Sequence, residues 1–143
     1  MPVLVDTNIL LVSVQPNHSL HRSAVSSLTK LAASGQTLFV SQQNLAEFWN
    51  VATRPVANNG LGYSVSETRL ELDRICDLFP PLCESPESLN IWKRLVTGYQ
   101  VKGVQVHDAR LVSVMLAHSV SSILTLNGSD FVRYSGIQVL SPA

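Results

Sequence analysis

The chain has 143 residues, which fits a single domain spanning residues 1–143 and allows a buried core. Hydrophobic residues make up 45% of the sequence and charged residues only 14%, which argues against disorder and for a compact protein. Ten basic and ten acidic residues cancel. The chain therefore lacks the broad basic field of a protein that coats duplex nucleic acid, and any contact with RNA or DNA is expected to be local.

The amino terminus is typical of a buried strand rather than of a secretion signal. It has no charged leading region and no small-residue cleavage site. No apolar stretch approaches the ~18 residues that a membrane-spanning helix requires. We therefore expect a cytoplasmic protein with no membrane partner.

The first half of the chain alternates short apolar runs with helical patterns. Residues 2–6, "PVLVD", are β-branched and apolar and predict a first strand. From 18 to 35 the apolar residues recur at helical spacing, and the glycine at the end of this stretch marks a helix end. Residues 37–41, "TLFVS", predict a second strand, and residues 42–55 predict a helix that ends at a proline.

The second half continues this alternation after a loop at 56–64, which is rich in Asn and Gly. A helix is expected to begin at Ser66 and to end before Pro80. A second helix begins after Ser85, a favourable N-cap residue, and a third covers 107–119. Short strands are predicted at 82–84, 121–126 and 137–140.

Strands that alternate with helices favour a parallel sheet with both faces covered. The five predicted strands therefore indicate an α/β fold. In open parallel sheets the functional crevice lies beyond the carboxyl ends of the strands. Residues at those strand ends are consequently the first candidates for a functional site.

Several acidic residues fall near this predicted edge. Asp6 closes the first strand within the apolar stretch "VLVDTNILL", where an unpaired carboxylate would be costly. Thr125 and Asn127 close the fourth strand, and Asp130 follows three residues later. Asp108 opens the helix that covers 107–119. We expect these side chains to lie close together.

Carboxylates that converge on one crevice repel one another unless a cation balances them. An acidic cluster without His or Cys suits Mg²⁺ or Mn²⁺. Such an ion can lower the pKa of bound water and neutralise the charge that grows on a phosphodiester during cleavage. Metal-dependent phosphodiester hydrolysis is therefore the reaction class that this chemistry best serves.

Four stretches of the chain resemble, in order, the acidic motifs of PIN-domain ribonucleases, and in particular the VapC-type toxins of type II toxin–antitoxin pairs. They are "VLVDTNILL", "SQQNLAEFWNVATRP", "HDARLVSVMLAH" and "ILTLNGSDF". The resemblance implies a three-layer α/β sandwich with a central parallel five-stranded sheet covered by helices on both faces. It also implies an Mg²⁺- or Mn²⁺-dependent endoribonuclease that acts on single-stranded or structured RNA, forms homodimers and is inhibited by a small antitoxin protein.

The resemblance also assigns residues by position. Asp6, Glu47 and Asp108 match the three principal carboxylates, with Asp6 and Asp108 as metal ligands. Asp130 is assigned as the fourth catalytic acid, although Asn127 occupies the place where many relatives have one. Residues expected to orient the carboxylates or metal-bound waters are Thr7, Asn8, Ser41, Thr125 and Asn127.

Simpler interpretations of the same residues stay open. Asp6 and Asp108 could be helix caps with no further role. From periodicity alone, Glu47 could face water as readily as a cleft. Basic residues near the motif ends could hold phosphates or could be solvated surface; these are Arg54, Lys102, Arg110 and Arg133. Asn127 and the zero net charge also allow a PIN-like RNA- or protein-binding module with weakened catalysis. A receiver-type domain is disfavoured, because "PLCES" and "QVLSPA" lack its Asp and Lys.

Overall fold

The computed structural model of the protein describes residues 1–142, and Ala143, the last residue of the expected domain, lies outside them. All strand pairs of its five-stranded sheet are parallel, in the order β3-β2-β1-β4-β5. The strands are β1 (Pro2–Val5), β2 (Thr37–Ser41), β3 (Pro81–Leu82), β4 (Ser122–Leu124) and β5 (Gln138–Leu140). At the centre of the sheet, Leu4 pairs with Phe39 on one side and with Ile123 on the other. The expected parallel five-stranded sheet is confirmed.

Within residues 1–142, six α-helices connect the strands. They are α1 (Thr7–Ser13), α2 (His21–Ala33), α3 (Gln42–Thr53), α4 (Val65–Leu78), α5 (Pro86–Gly98) and α6 (Val106–Ala117). The same part of the chain contains three short 3₁₀ turns, at Val56–Asn58, Gly103–Gln105 and Gly128–Asp130. Within the described residues, no helix combines the length and the apolar character needed to cross a membrane.

Both faces of the sheet are buried. Successive side chains of a strand point to opposite faces, and in β1 both sets are covered: Val3 and Val5 belong to one apolar cluster, and Leu4 belongs to the other. The first cluster includes residues of α1, α2, α3 and α4, such as Phe48. The second is built mainly from α6, with Trp92 and other residues of α5 packed against it. These two covered faces confirm the three-layer α/β sandwich.

The structure corrects several element boundaries, including those of α4 and β3. Helix α4 begins after Ser64 rather than at Ser66, because the Ser64 hydroxyl accepts a hydrogen bond from the Glu67 N–H while the Glu67 carboxylate accepts one from the Ser64 N–H. Strand β3 covers 81–82 rather than 82–84, since only these residues pair with the end of β2.

The strand-end positions need the same correction. Strand β1 ends at Val5, so Asp6 follows it as the N-cap of α1. Thr125 and Asn127 lie beyond β4, which ends at Leu124. Helix α6 starts at Val106, so Asp108 lies inside its first turn instead of opening the helix. These differences of one to three residues leave the side chains at the carboxyl edge of the sheet.

The buried core predicts a large difference between two helical leucines. Leu10 of α1 is fully buried, whereas Leu70 of α4 is 72% exposed. We expect Leu10→Ala to lower the free energy of unfolding by about 2–5 kcal/mol, because it removes buried methyl groups and leaves a cavity. Leu70→Ala is the matched control and should change it by less than about 0.5 kcal/mol. Urea denaturation measures both, and equal losses would contradict the assignment of the core.

Candidate active site

Asp6 is a buried carboxylate held by hydrogen bonds on both oxygens. It follows β1 and is 9% exposed. Its Oδ1 accepts the Thr7 N–H at 2.8 Å, which caps α1, and its Oδ2 accepts the Thr125 hydroxyl at 2.7 Å. Its own N–H donates to the carbonyl of Leu124 at 3.0 Å. Asp6 is therefore a helix cap, as its position allowed, and is also tied to the end of β4.

Asn8 joins the same two strand ends. Its amide nitrogen lies 3.4 Å from Asp6 Oδ2 and 3.3 Å from Thr125 Oγ1, and its amide oxygen accepts the Leu126 N–H at 3.1 Å. The Thr125 hydroxyl oxygen also accepts the Asn127 N–H at 3.0 Å. Thr125 and Asn8 thus fix the position of Asp6 relative to the loop that carries Asn127.

Glu47 is oriented by a chain of three polar side chains. The Thr7 hydroxyl donates to Glu47 Oε1 at 2.8 Å and accepts the Asn44 amide at 3.0 Å. Asn44 is fully buried, and its amide oxygen accepts both the N–H and the hydroxyl of Ser41 at 2.9 Å. Ser41 caps α3 in return by accepting the Asn44 N–H. The Glu47 carboxylate therefore contacts Thr7, the residue after Asp6, and does not face only water.

Asn44 is a positioning residue that sequence reasoning missed. It lies between the apolar residues of α3 and does not itself carry charge, so no motif draws attention to it. The signal was its position three residues after Ser41, because a polar side chain at that place can complete a capping box.

Four carboxylates line one cleft of about 350 Å³, here called the acidic cleft: Asp6, Glu47, Asp108 and Asp130. Thr7, Asn8 and Asn127 also line it, together with Leu11, Gln43, Asn50, Val51 and Leu111. Ser41 and Thr125 do not line the cleft. Their hydroxyl groups instead donate hydrogen bonds to Asn44 and Asp6, respectively. The structure thus brings all four predicted acids together.

Asp108 and Asp130 approach the acidic cleft from separate elements. Asp108 is half-buried in the first turn of α6, a helix that has no side-chain cap, so the capping interpretation of Asp108 is wrong. Asp130 is exposed at the end of a 3₁₀ turn, close to the loop residue Asn127. Both residues line the acidic cleft.

The four carboxylates affect one another electrostatically. Burial raises the pKa of Asp108 to about 6, and the negative charges of Asp130, Asp6 and Glu47 contribute to the increase. Burial also raises the pKa of Asp6, followed by smaller effects of Glu47 and Asp130, while the hydrogen bonds from Thr125 and Thr7 act in the opposite direction. The cleft therefore holds more negative charge than its surroundings favour.

The donor set of the acidic cleft fits a hard divalent cation. No group of three His, Cys, Asp or Glu side chains within residues 1–142 is arranged to hold a metal ion by itself. Magnesium commonly uses only one or two carboxylates and keeps several waters. Asp6 and Asp108 supply that number, and the remaining oxygen donors of the cleft suit Mg²⁺ or Mn²⁺ rather than a softer metal.

The fold and the acidic cleft define an α/β protein whose carboxylates converge at the carboxyl edge of a parallel sheet. The sequence profile of the PIN domain matches residues 3–137. The chain therefore belongs to the PIN-domain family. A comparison with curated proteins found no match.

Solved structures with the same fold include several from toxin–antitoxin systems. A chain of the VapBC2 complex from Rickettsia felis, bound to a DNA fragment from its promoter, matches with a TM-score of 0.76 and 18% identity, covering 99% of this chain and 98% of that one. A toxin–antitoxin complex from Klebsiella pneumoniae matches with a TM-score of 0.65 and 22% identity, covering 99% and 98%.

A third structure is VapC20 from Mycobacterium tuberculosis, described as a toxin that cleaves the sarcin–ricin loop. It matches with a TM-score of 0.65 and 16% identity, covering 92% of this chain and 95% of that one. At these identities the likeness establishes the fold.

The raised pKa of Asp108 predicts a pH-dependent effect of Asp108→Asn on the metal-free protein. Its folded-state pKa is about 6, above the ordinary 3.8, so the folded protein binds this proton more tightly than the unfolded chain does. The stability contributed by the protonated carboxyl is complete below about pH 4 and is lost as the pH rises through about 6. Asn keeps a neutral side chain at every pH.

We therefore expect Asp108→Asn to raise the Tm by about 3 °C at about pH 8, which is roughly 1 kcal/mol for a chain of this length after allowance for solvent screening. The Tm should not change near about pH 4. Thermal unfolding in EDTA measures both values. Asp77→Asn removes an exposed charge from α4 and is the control. An equal gain at both pH values would contradict the electrostatic explanation.

Proposed function

We propose that this protein is a metal-dependent endoribonuclease that hydrolyses RNA phosphodiester bonds, and that it is the toxin of a VapBC-type toxin–antitoxin pair. The observation that carries the proposal is the convergence of four carboxylates, from four separate segments of the chain, on one cleft. Membership of the PIN-domain family supports the same reaction class.

The proposed reaction assigns separate roles to the carboxylates. Asp6 and Asp108 would hold Mg²⁺ or Mn²⁺. When bound, this ion would lower the pKa of a water molecule and neutralise charge on the phosphodiester. The hydrogen bonds from Thr7 and Thr125 keep both Asp6 oxygens in fixed directions. Glu47, fixed by the Thr7 hydroxyl, would orient the attacking water and accept its proton.

Asp130 is the fourth acid in this proposal. It is exposed and lines the acidic cleft, and its negative charge is, after burial, the largest cause of the raised pKa of Asp108. Asn127 also lines the cleft and brings no charge, so it would bind water or substrate by hydrogen bonds. The electrostatic effect of Asp130 on Asp108 supports Asp130 over Asn127 at the fourth position.

The biological setting is proposed from proteins of the same fold. The M. tuberculosis structure is described as a toxin that cleaves the sarcin–ricin loop, which supports single-stranded or structured RNA as the substrate here. The R. felis and K. pneumoniae structures are toxin–antitoxin complexes, which supports a small antitoxin protein as a partner. We propose a homodimer as the assembly that carries out the reaction.

Loss of one principal carboxylate should remove nuclease activity without unfolding the protein. We expect Asp6→Asn to lower the rate of RNA cleavage in Mn²⁺ by more than about 100-fold. Residues that only support metal ligands typically cause a loss of about 10–100-fold when they are replaced. Gel electrophoresis of a single-stranded phage RNA measures the rate, and a manganese titration measures ion uptake. Asp77→Asn, outside the acidic cleft, is the control and should cut at the parent rate.

Two outcomes of this experiment would oppose the proposal. Cleavage by Asp6→Asn at the parent rate would reject the assigned site. RNA binding by the parent protein without any metal-dependent cutting would favour the alternative, a PIN-like binding module with weakened catalysis.

The toxin role predicts an effect on growth. Induced expression of the parent protein in a bacterial host should slow growth, because RNA cleavage would limit protein synthesis, whereas Asp6→Asn expressed to the same level should not. Growth curves with matched expression, checked by immunoblot, measure the difference. Normal growth with the parent protein, or equal arrest by the variant, would count against the toxin role.

A further inference from the structure

A second depression lies beside the acidic cleft and shares three lining residues with it. This depression, here called the polar groove, has a volume of about 590 Å³ and is lined by Gln42, Gln43, Ala46, Glu47, Asn50, Glu84, His107 and Arg110. Gln43, Glu47 and Asn50 of α3 line both depressions. A linear ligand can therefore run from one into the other along α3.

The two depressions differ in charge. Among the residues that line the acidic cleft in the described chain, none is Lys or Arg. The polar groove contains Arg110. Within residues 1–142, the other three basic residues near the motif ends, Arg54, Lys102 and Arg133, line neither depression. Arg110 and His107 are three residues apart and lie on one face of α6. A strand that carries a phosphate on every nucleotide would meet a guanidinium here.

Arg110 is already paired with a carboxylate. Its Nε donates to Glu84, and the two side chains are 49% and 43% exposed. Exposed ion pairs contribute little to stability. A phosphate can therefore replace Glu84 at little cost, and the planar guanidinium can bind it through two parallel N–H donors.

Gln43 marks the junction of the two depressions. Its amide nitrogen donates to the backbone carbonyl of His107 at 2.9 Å, which fixes the side chain between α3 and α6. Its amide oxygen is buried and has no hydrogen-bond partner among the described residues. An unsatisfied buried acceptor is unfavourable, and the hydrogen bond from the amide nitrogen holds α3 against α6 where the two depressions meet.

We propose that Arg110 binds a backbone phosphate of the RNA next to the phosphodiester that is cut, and that Glu84 occupies Arg110 until the RNA replaces it. The inference rests on the proposed nuclease function. It assigns the polar groove as the path of the strand outside the acidic cleft, with Arg110 contacting the substrate directly.

Fluorescence anisotropy with a labelled single-stranded RNA oligonucleotide of mixed sequence tests the proposal. Calcium replaces Mn²⁺ in this experiment, because carboxylates also bind it, and a gel checks that the RNA stays intact. Arg110→Gln should weaken binding about fivefold to tenfold. It should also reduce the slope of log affinity against log salt by about 0.7, the value for one lost phosphate contact on a single strand. Arg110→Lys should retain the parent slope.

Two control variants remove the same charges elsewhere. Arg22→Gln, at an exposed position of α2, should change neither the affinity nor the slope by as much as Arg110→Gln. Glu84→Gln should tighten RNA binding about twofold to fivefold, in the range of one exposed ion pair. This gain in affinity should be larger than that of Glu87→Gln, which changes the net charge by the same amount. In the Arg110→Gln background this advantage of Glu84→Gln should disappear.

The result that overturns the inference differs from the result that overturns the nuclease proposal. If the parent protein cuts RNA in Mn²⁺ but Arg110→Gln has the parent affinity and salt slope, Arg110 does not hold a phosphate. The polar groove would then be open to another occupant, such as an acidic segment of a protein partner. If the parent protein does not cut RNA at all, the nuclease proposal itself fails.

Discussion

The candidate site depends on one interaction, the hydrogen bonding of a buried Asp6 carboxylate by the Thr7 N–H and the Thr125 hydroxyl. Burial alone would favour the protonated acid, and these two donors counteract that tendency. They also determine where the carboxylate points. One donor belongs to the helix that follows β1, and the other belongs to the residue after β4, so the position of Asp6 depends on the correct pairing of the two central strands.

Thr7 connects Asp6 to a second carboxylate, Glu47. Its backbone N–H donates a hydrogen bond to Asp6. Its hydroxyl donates to Glu47 and accepts a hydrogen bond from the Asn44 amide. Asn44 is in turn fixed by Ser41 at the start of α3. The start of α1 and the start of α3 are therefore connected by a continuous series of hydrogen bonds. Because every member of the series has a partner, the network can be buried without the usual cost of an isolated polar group.

Much of this arrangement could be predicted from the sequence. Alternating strands and helices gave the parallel sheet, and the sheet placed Asp6 and Asp108 at one edge. The position of Glu47 could not be obtained from periodicity, because a helical wheel gives a direction around α3 but not what faces it. The resemblance to PIN-domain ribonucleases supplied that assignment.

What sequence reasoning missed were small polar side chains. Asn44 and Ser64 act through local backbone hydrogen bonds, and several neighbouring Ser and Asn residues could have done the same. The choice between them depends on tertiary packing. The ion pair of Arg110 with Glu84 was equally inaccessible, because its members are 26 residues apart and belong to different elements.

The hydrogen bond between Asp6 and Thr125 joins residues that are 119 positions apart in the chain. During synthesis, the first carboxylate leaves the ribosome long before the hydroxyl that orients it exists. A partly made chain that lacks Thr125 therefore has not assembled the candidate site. For a protein proposed to destroy RNA, this delay would protect the messenger and the ribosome that are still producing it.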